Sequence, residues 1–252
     1  MSGLENRATA NPVKVSGVNV PPAKSSAAGS PPAGRGAPTT STTSAPGPAS
    51  WAYSEDFVVE SDASAQARVE SEPLGITPLS RGAVSTLTFL ARVVQARAVV
   101  EVGTGAGVSG LALFAGMEAD GILTSVDIEA DHQRQARKSF LSVGIPTQRF
   151  RLIAGSALNV LPKLSDGAYD LVFVDGDKLD YVEYVEQGLR LLRHGGVLVV
   201  DDALWEGRTV DAANDDDETE AIRAALTSVL ENEDLVSTLL PVGNGLLAAV
   251  KR

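Results

Sequence analysis

Four apolar runs in this chain carry an acid at or near their end. Glu101 sits within Val99-Val100-Glu101-Val102, Asp127 follows Ile122 to Val126, Asp175 follows Leu171 to Val174, and Asp201-Asp202 follow Val197 to Val200. In an open parallel sheet, ligands bind beyond the carboxyl ends of the strands, so acids placed this way converge on one edge and one site. The first run continues into Gly103-Thr104-Gly105-Ala106-Gly107 and then Val108-Ser109. A glycine-rich turn that opens a helix lets backbone approach a nucleotide-like ligand closely, and the helix N-terminus favours anionic groups. The spacing is not the dinucleotide fingerprint G-x-G-x-x-G, because the third glycine is Gly107 and Val108 stands where that pattern needs Gly. Asp127 lies 24 residues beyond Gly103. That is the distance at which an acid accepts hydrogen bonds from ribose hydroxyls, and the same residue is placed to cap a helix starting near Asp131.

The elements that must position these groups alternate between strand and helix, the pattern of a βαβ protein with a parallel sheet. Strands are expected at 98–102, 122–126, 149–153, 171–174 and 197–200. Helices are expected at 54–70, 80–96, 109–117, about 131–143 with Gly144 as the C′ residue, and 181–192 before a turn at His194-Gly195-Gly196. A last helix reaches Leu230, capped by Asp217 or Thr219. Two further strands, 235–240 and 246–250, meet through Gly243-Asn244-Gly245, a hairpin signal. The fold class is α/β: a Rossmann-like, doubly wound, seven-stranded sheet, mostly parallel with a C-terminal antiparallel hairpin.

Composition narrows the function classes. The 252 residues hold 44% hydrophobic residues, enough for one packed domain, and no cysteine, which excludes disulfides and thiolate chemistry. A net charge of −11 argues against broad nucleic-acid binding. No apolar run approaches the roughly 20 residues that span a bilayer, and no apolar leader opens the chain, so the expected setting is the cytoplasm. Residues 1–50 are rich in Pro, Ala, Ser, Thr and Gly, without aromatics, and read as a disordered tail before a domain at 51–252.

Two segments fix a family resemblance: Phe173-Val174-Asp175-Gly176-Asp177-Lys178-Leu179-Asp180-Tyr181 and Gly195-Gly196-Val197-Leu198-Val199-Val200-Asp201-Asp202-Ala203-Leu204-Trp205. With the glycine-rich turn, they resemble the motifs of the cation-dependent class I O-methyltransferases that use S-adenosylmethionine (SAM), the catechol and caffeoyl-CoA type. The resemblance implies a SAM site at Thr77, Glu101, Gly103, Thr104, Gly105, Gly107, Ser109, Asp127, Ser156 and Asp175. It implies a divalent cation, Mg²⁺ or Mn²⁺, on Asp175, Asp201 and Asp202, with Asp175 and Lys178 as catalytic residues. Lys178 takes the acceptor's proton if the cation and a dry pocket depress its pKa. The implied partner is a small catechol-like acceptor, and the implied assembly a homodimer.

The usual Asn of the strand-5 pair is Asp202 here, which leaves a cation site plausible and alters its charge. Tyr181 and Trp205 are candidates for an aromatic wall or for core, His132 reads as an exposed helix residue, and His194 as a turn residue. Two alternatives remain open: a metal-independent small-molecule methyltransferase, and a SAM-binding protein without catalysis.

Overall fold

A computed structural model describes residues 47–252. The expected tail falls almost wholly on residues 1–46, outside the described residues. The chain runs through α1 (Pro48–Glu55), α2 (Asp62–Ser71), α3 (Arg81–Val93), β1 (Ala98–Val102), α4 (Val108–Gly116), β2 (Ile122–Asp127), α5 (Ala130–Ser142) and β3 (Phe150–Ala154). It continues with α6 (Ala157–Val160), β4 (Tyr169–Val174), α7 (Tyr181–Leu191), β5 (Leu192–Val200), α8 (Asp217–Leu230), β6 (Leu235–Leu240) and β7 (Leu246–Lys251).

The seven strands form one sheet of order β3-β2-β1-β4-β5-β7-β6. The first five are parallel, and β7 pairs antiparallel with both β5 and β6. The order reverses between β1 and β4, so a crevice opens there beyond their carboxyl ends. Val99 to Val102, Leu171 to Val174 and Val197 to Val200 are buried on both faces, as strands covered by helices must be. One core layer holds Leu87, Leu113 and Phe140 beneath α3, α4 and α5, and the other holds Tyr181, Leu191 and Ile222 beneath α7 and α8. Phe140 packs edge-on against Phe114 and Phe150, with ring centroids 5.2 and 5.4 Å apart. Such aromatic pairs contribute about 1 kcal/mol each beyond burial.

Three expectations need correction. The single helix at 54–70 is two, because Ser61 caps α2 by accepting from the Ser64 amide at 3.2 Å, and residues 56–61 cross between them. The turn at His194-Gly195-Gly196 lies inside β5, where the register to β4 jumps from Tyr169↔Leu192 to Leu171↔Val197. The cap of α8 is Asp216, whose carboxylate accepts from the Thr219 amide and hydroxyl at 3.0 and 2.8 Å. No helix among the described residues is long and apolar enough to cross a membrane.

Candidate active site

A cavity of about 730 Å³ lies at the carboxyl edge of β1, β2, β4 and β5. The sequence already places its floor: Asp127, Asp175 and Asp201-Asp202 stand at or just after the carboxyl ends of β2, β4 and β5. The glycine turn forms one wall. Gly103 stands at φ +92°, and a Cβ there would come within 2.0 Å of the Asp175 carbonyl oxygen, so only glycine lets β1 and β4 leave the sheet side by side. Asp127 draws this turn inward. Its Oδ2 accepts from the Thr104 and Gly105 amides, both at 3.0 Å, and its Oδ1 from the Glu129 amide at 2.9 Å. Asp127 therefore faces the cavity and ties the turn to the residue before α5, but it is not the helix cap, because the cap position is Glu129 and no side chain closes it.

Of the expected cofactor residues, Thr77, Gly103, Thr104, Gly105, Ser109, Asp127, Ser156 and Asp175 line the cavity. Glu101 and Gly107 do not. Gly107 turns to α5, where a Cβ would meet Phe140 and Ala136 at 3.0–3.2 Å. Glu101 is fully buried beneath the turn, its Oε2 accepting from the Ser125 hydroxyl at 2.5 Å and its Oε1 without a partner. Burial pushes the Glu101 carboxyl up to about 7, against the opposing hydrogen bond from Ser125. These two residues support the turn from behind.

The second constellation assembles beside the turn, at the ends of β4 and β5. Ligand oxygens of Asp175, Asp201 and Asp202 lie within 4.8 Å of one another. Lys178, only 9% exposed, reaches between them, with Nζ 3.3 Å from Asp175 Oδ1 and 2.7 Å from Asp202 Oδ2. Burial and then the neighbouring acids raise the pKa of Asp201 well above the ordinary carboxylate value. Asp175 is also raised, by burial and by Asp202, against the pull of Lys178. Oδ1 of Asp201 is buried and unpartnered. Three hard oxygen donors, crowded, with one carboxylate oxygen lacking any hydrogen bond, fit a hard divalent cation such as Mg²⁺ or Mn²⁺.

The lowering expected for Lys178 is conditional on the cation, and the chain's own groups act in the opposite direction. Burial works against its charge, but Asp175 and Asp202 outweigh it and raise its pKa above the ordinary lysine value. Tyr181 is core: it is fully buried and its hydroxyl donates to the Asp201 carbonyl at 3.2 Å. Trp205 does line the cavity, and the Lys178 ammonium lies 5.5 Å from its ring centroid. Residues the sequence reading passed over also line it: Trp51 on α1, Tyr184 on α7, Asn244 on the β6–β7 turn, and His132. His132 is not an exposed helix residue, because its Nδ1 lies 3.1 Å from Asp127 Oδ2 and its side chain is 20% exposed. Its spacing, five residues after Asp127 and one turn into α5, was the available signal. His194 reaches the Arg252 carbonyl, which ties β5 to the end of the chain.

The sheet order, the glycine turn and the acids at the strand ends together define a class I methyltransferase architecture. A sequence profile described as O-methyltransferase matches residues 57–252. A putative O-methyltransferase of Mycobacterium sp. (strain JLS) is 46% identical over 200 residues, covering 79% of this chain and 91% of that protein. Among solved structures, a Corynebacterium glutamicum protein superposes with a TM-score of 0.74 at 31% identity, over 79% of this chain and 94% of its own. The O-methyltransferase TomG of Streptomyces achromogenes, involved in tomaymycin synthesis and crystallised with SAM, superposes at 0.72 with 28% identity, over 79% and 94%. The chain belongs to the O-methyltransferase family, and it is an enzyme of the SAM-dependent class.

Proposed function

We propose that this enzyme moves the methyl group of SAM to one hydroxyl of a small catechol-like acceptor, with Mg²⁺ or Mn²⁺ on Asp175, Asp201 and Asp202. The observation that carries the proposal is the carboxylate trio with its unpartnered Asp201 Oδ1, in the same cavity as the glycine turn. In this reading Ser109 takes the methionine end of SAM, and the Gly103–Gly105 turn, whose amides are held by Val126 and Asp127, lets the cofactor approach the backbone closely. Asp127 takes the ribose, Ser156 the adenine edge, and Thr77 covers the cofactor; Glu101 and Gly107 shape the turn.

Methyl transfer from a sulfonium is an in-line displacement by oxygen, and a phenol with a pKa of about 10 is a poor nucleophile while protonated. Asp175, Asp201 and Asp202 would hold a divalent cation, which would supply Lewis acidity that lowers the pKa of an acceptor hydroxyl. The chain's own residues do the rest. Trp205 and Tyr184 exclude water beside the acids. Lys178 Nζ is aimed at the space between Asp175 and Asp202, where it holds or accepts the acceptor's proton. The carboxylate oxygens that hold Nζ as an ammonium are those assigned to the cation.

The Lys178–Asp202 pair also suits a second reading, a metal-independent methyltransferase in which the ammonium alone neutralises the acids. The proposal includes a homodimer and a cytoplasmic setting. The exposed apolar residues Tyr53, Phe57, Val58 and Val59 support the first, as a patch that a partner would cover.

The test is transfer of labelled methyl from SAM to matched acceptors with Mg²⁺ present. Turnover of vicinal diols, with little on the corresponding monophenols, is expected. Equal turnover of both would overturn the catechol-like acceptor.

A further inference from the structure

Asp202 is the residue at which this chain departs from the pattern its motifs resemble, and it is held from outside the acid cluster. Asn244 Nδ2 donates to Asp202 Oδ1 at 3.0 Å, while Lys178 occupies Oδ2. Resting on the reading of Asp175, Asp201 and Asp202 as a cation site, we propose that Asn244 is a positioning residue for that site. Its amide fixes the orientation of Asp202 and offsets the carboxylate that stands where the motif usually has an amide.

The β6–β7 turn is built to deliver Asn244 to this place. The Leu204 amide donates to the Asn244 carbonyl at 2.7 Å and the Ala203 amide to the Gly245 carbonyl at 2.9 Å, so the turn is stitched to the two residues that follow Asp202. Gly245 stands at φ +92°, and a Cβ there would meet the Leu204 side chain at 2.4 Å. From the other side, the buried Glu55 of α1 accepts from the Gly243 amide at 2.9 Å and from the Gly82 amide of α3 at 2.7 Å. A turn clamped at both ends presents its central side chain in one place.

The backbone of Asp202 lies at φ +55°, a left-handed conformation that Asn and Asp tolerate and most residues do not. An Asn at 202 would offer a neutral oxygen and its own donors, whereas an Asp only accepts. With Asp202, donors must come from elsewhere, and Lys178 and Asn244 supply one to each oxygen. Exchanging the two side chains, Asp202→Asn with Asn244→Asp, keeps the hydrogen bond with donor and acceptor swapped.

Two readouts on the full chain test this. The first is Mn²⁺ binding, followed by the loss of the free-ion paramagnetic resonance signal, with SAM binding measured separately. Asn244→Ala is expected to weaken Mn²⁺ about tenfold, the lower end for groups that orient metal ligands, and to leave SAM affinity unchanged. The second is the melting temperature of the metal-free protein. Asn244→Asp sets two carboxylates face to face and is expected to lower it by several degrees, and adding Asp202→Asn is expected to restore it. Unchanged Mn²⁺ affinity in Asn244→Ala, or no recovery in the double variant, would overturn the assignment of Asn244. Wild-type protein that binds no Mn²⁺ would instead overturn the cation reading beneath it, whatever the variants do.

Discussion

Lys178 and Asp202 form an ion pair at 2.7 Å inside the cavity, with the lysine only 9% exposed. Breaking a buried pair by removing one partner leaves the other charge uncompensated. Lys178→Met keeps the length and apolar stem and removes the charge. Its kcat is expected to fall by about 10²- to 10⁴-fold, the usual range for a positioned acid–base group, with SAM affinity unchanged. Mn²⁺ is expected to bind more tightly in the variant, because the ammonium no longer competes for Asp175 and Asp202. Steady-state kinetics and metal titration of the same preparation check both effects, and weaker Mn²⁺ binding would contradict the competition.

Asp127 joins the cofactor wall to α5 through the Thr104, Gly105 and Glu129 amides. Hydrogen bonds to a charged group contribute about 1.5–3 kcal/mol each. Asp127→Ala is therefore expected to weaken SAM by about tenfold or more and to leave Mn²⁺ binding intact. Calorimetric titration with SAM reads the first effect, and a dissociation constant equal to wild type would remove Asp127 from the site.

Gly103 is the tightest point between the two halves of the cavity, since an added Cβ meets the Asp175 carbonyl oxygen at 2.0 Å. Overpacking costs about 1–3 kcal/mol and a side chain forced into left-handed backbone a similar amount. Gly103→Ala is expected to lose at least about 2 kcal/mol of stability by denaturant unfolding. An unchanged midpoint would mean that β1 and β4 part more easily than the fold implies.

Glu101 gives stability a pH dependence with a defined sign. Its folded pKa of about 7 lies above the ordinary value of 4.5, so the folded state favours the protonated carboxyl. That contribution is complete below about pH 4.5 and is lost as pH rises through about 7. The loss is on the order of 3 kcal/mol at most. Wild-type protein should weaken more than Glu101→Gln between pH 5 and pH 8 in urea unfolding. Parallel curves for the two proteins would contradict the assignment.

Much of this architecture was legible in the sequence because it is local. The glycine turn, the strand-terminal acids and the Asp175–Lys178 spacing each lie within a few residues, and an apolar run ending in an acid has few structural meanings. What escaped depends on distant packing. Tyr181 and Tyr184 share α7 three residues apart, and only the docking of that helix sends Tyr181 into the core and Tyr184 to the cavity. Trp51 and Asn244 come from opposite ends of the chain, and Glu55, which holds the Asn244 turn, is 188 residues away from Gly243. The direction of the Lys178 shift could not be read from Asp175 alone, because Asp202 reaches it only once β5 lies beside β4.

Dependence of methyl transfer on a divalent cation is the central claim, and chelation with add-back tests it most directly. Initial rates on a vicinal diol are measured at saturating SAM, with excess chelator and then with stepwise free Mg²⁺, while SAM binding is followed in parallel. The account predicts that activity collapses with chelator, returns with Mg²⁺ or Mn²⁺, and that SAM binds throughout. Full activity in chelator, with SAM bound, would contradict it and leave Lys178 alone to neutralise the three acids.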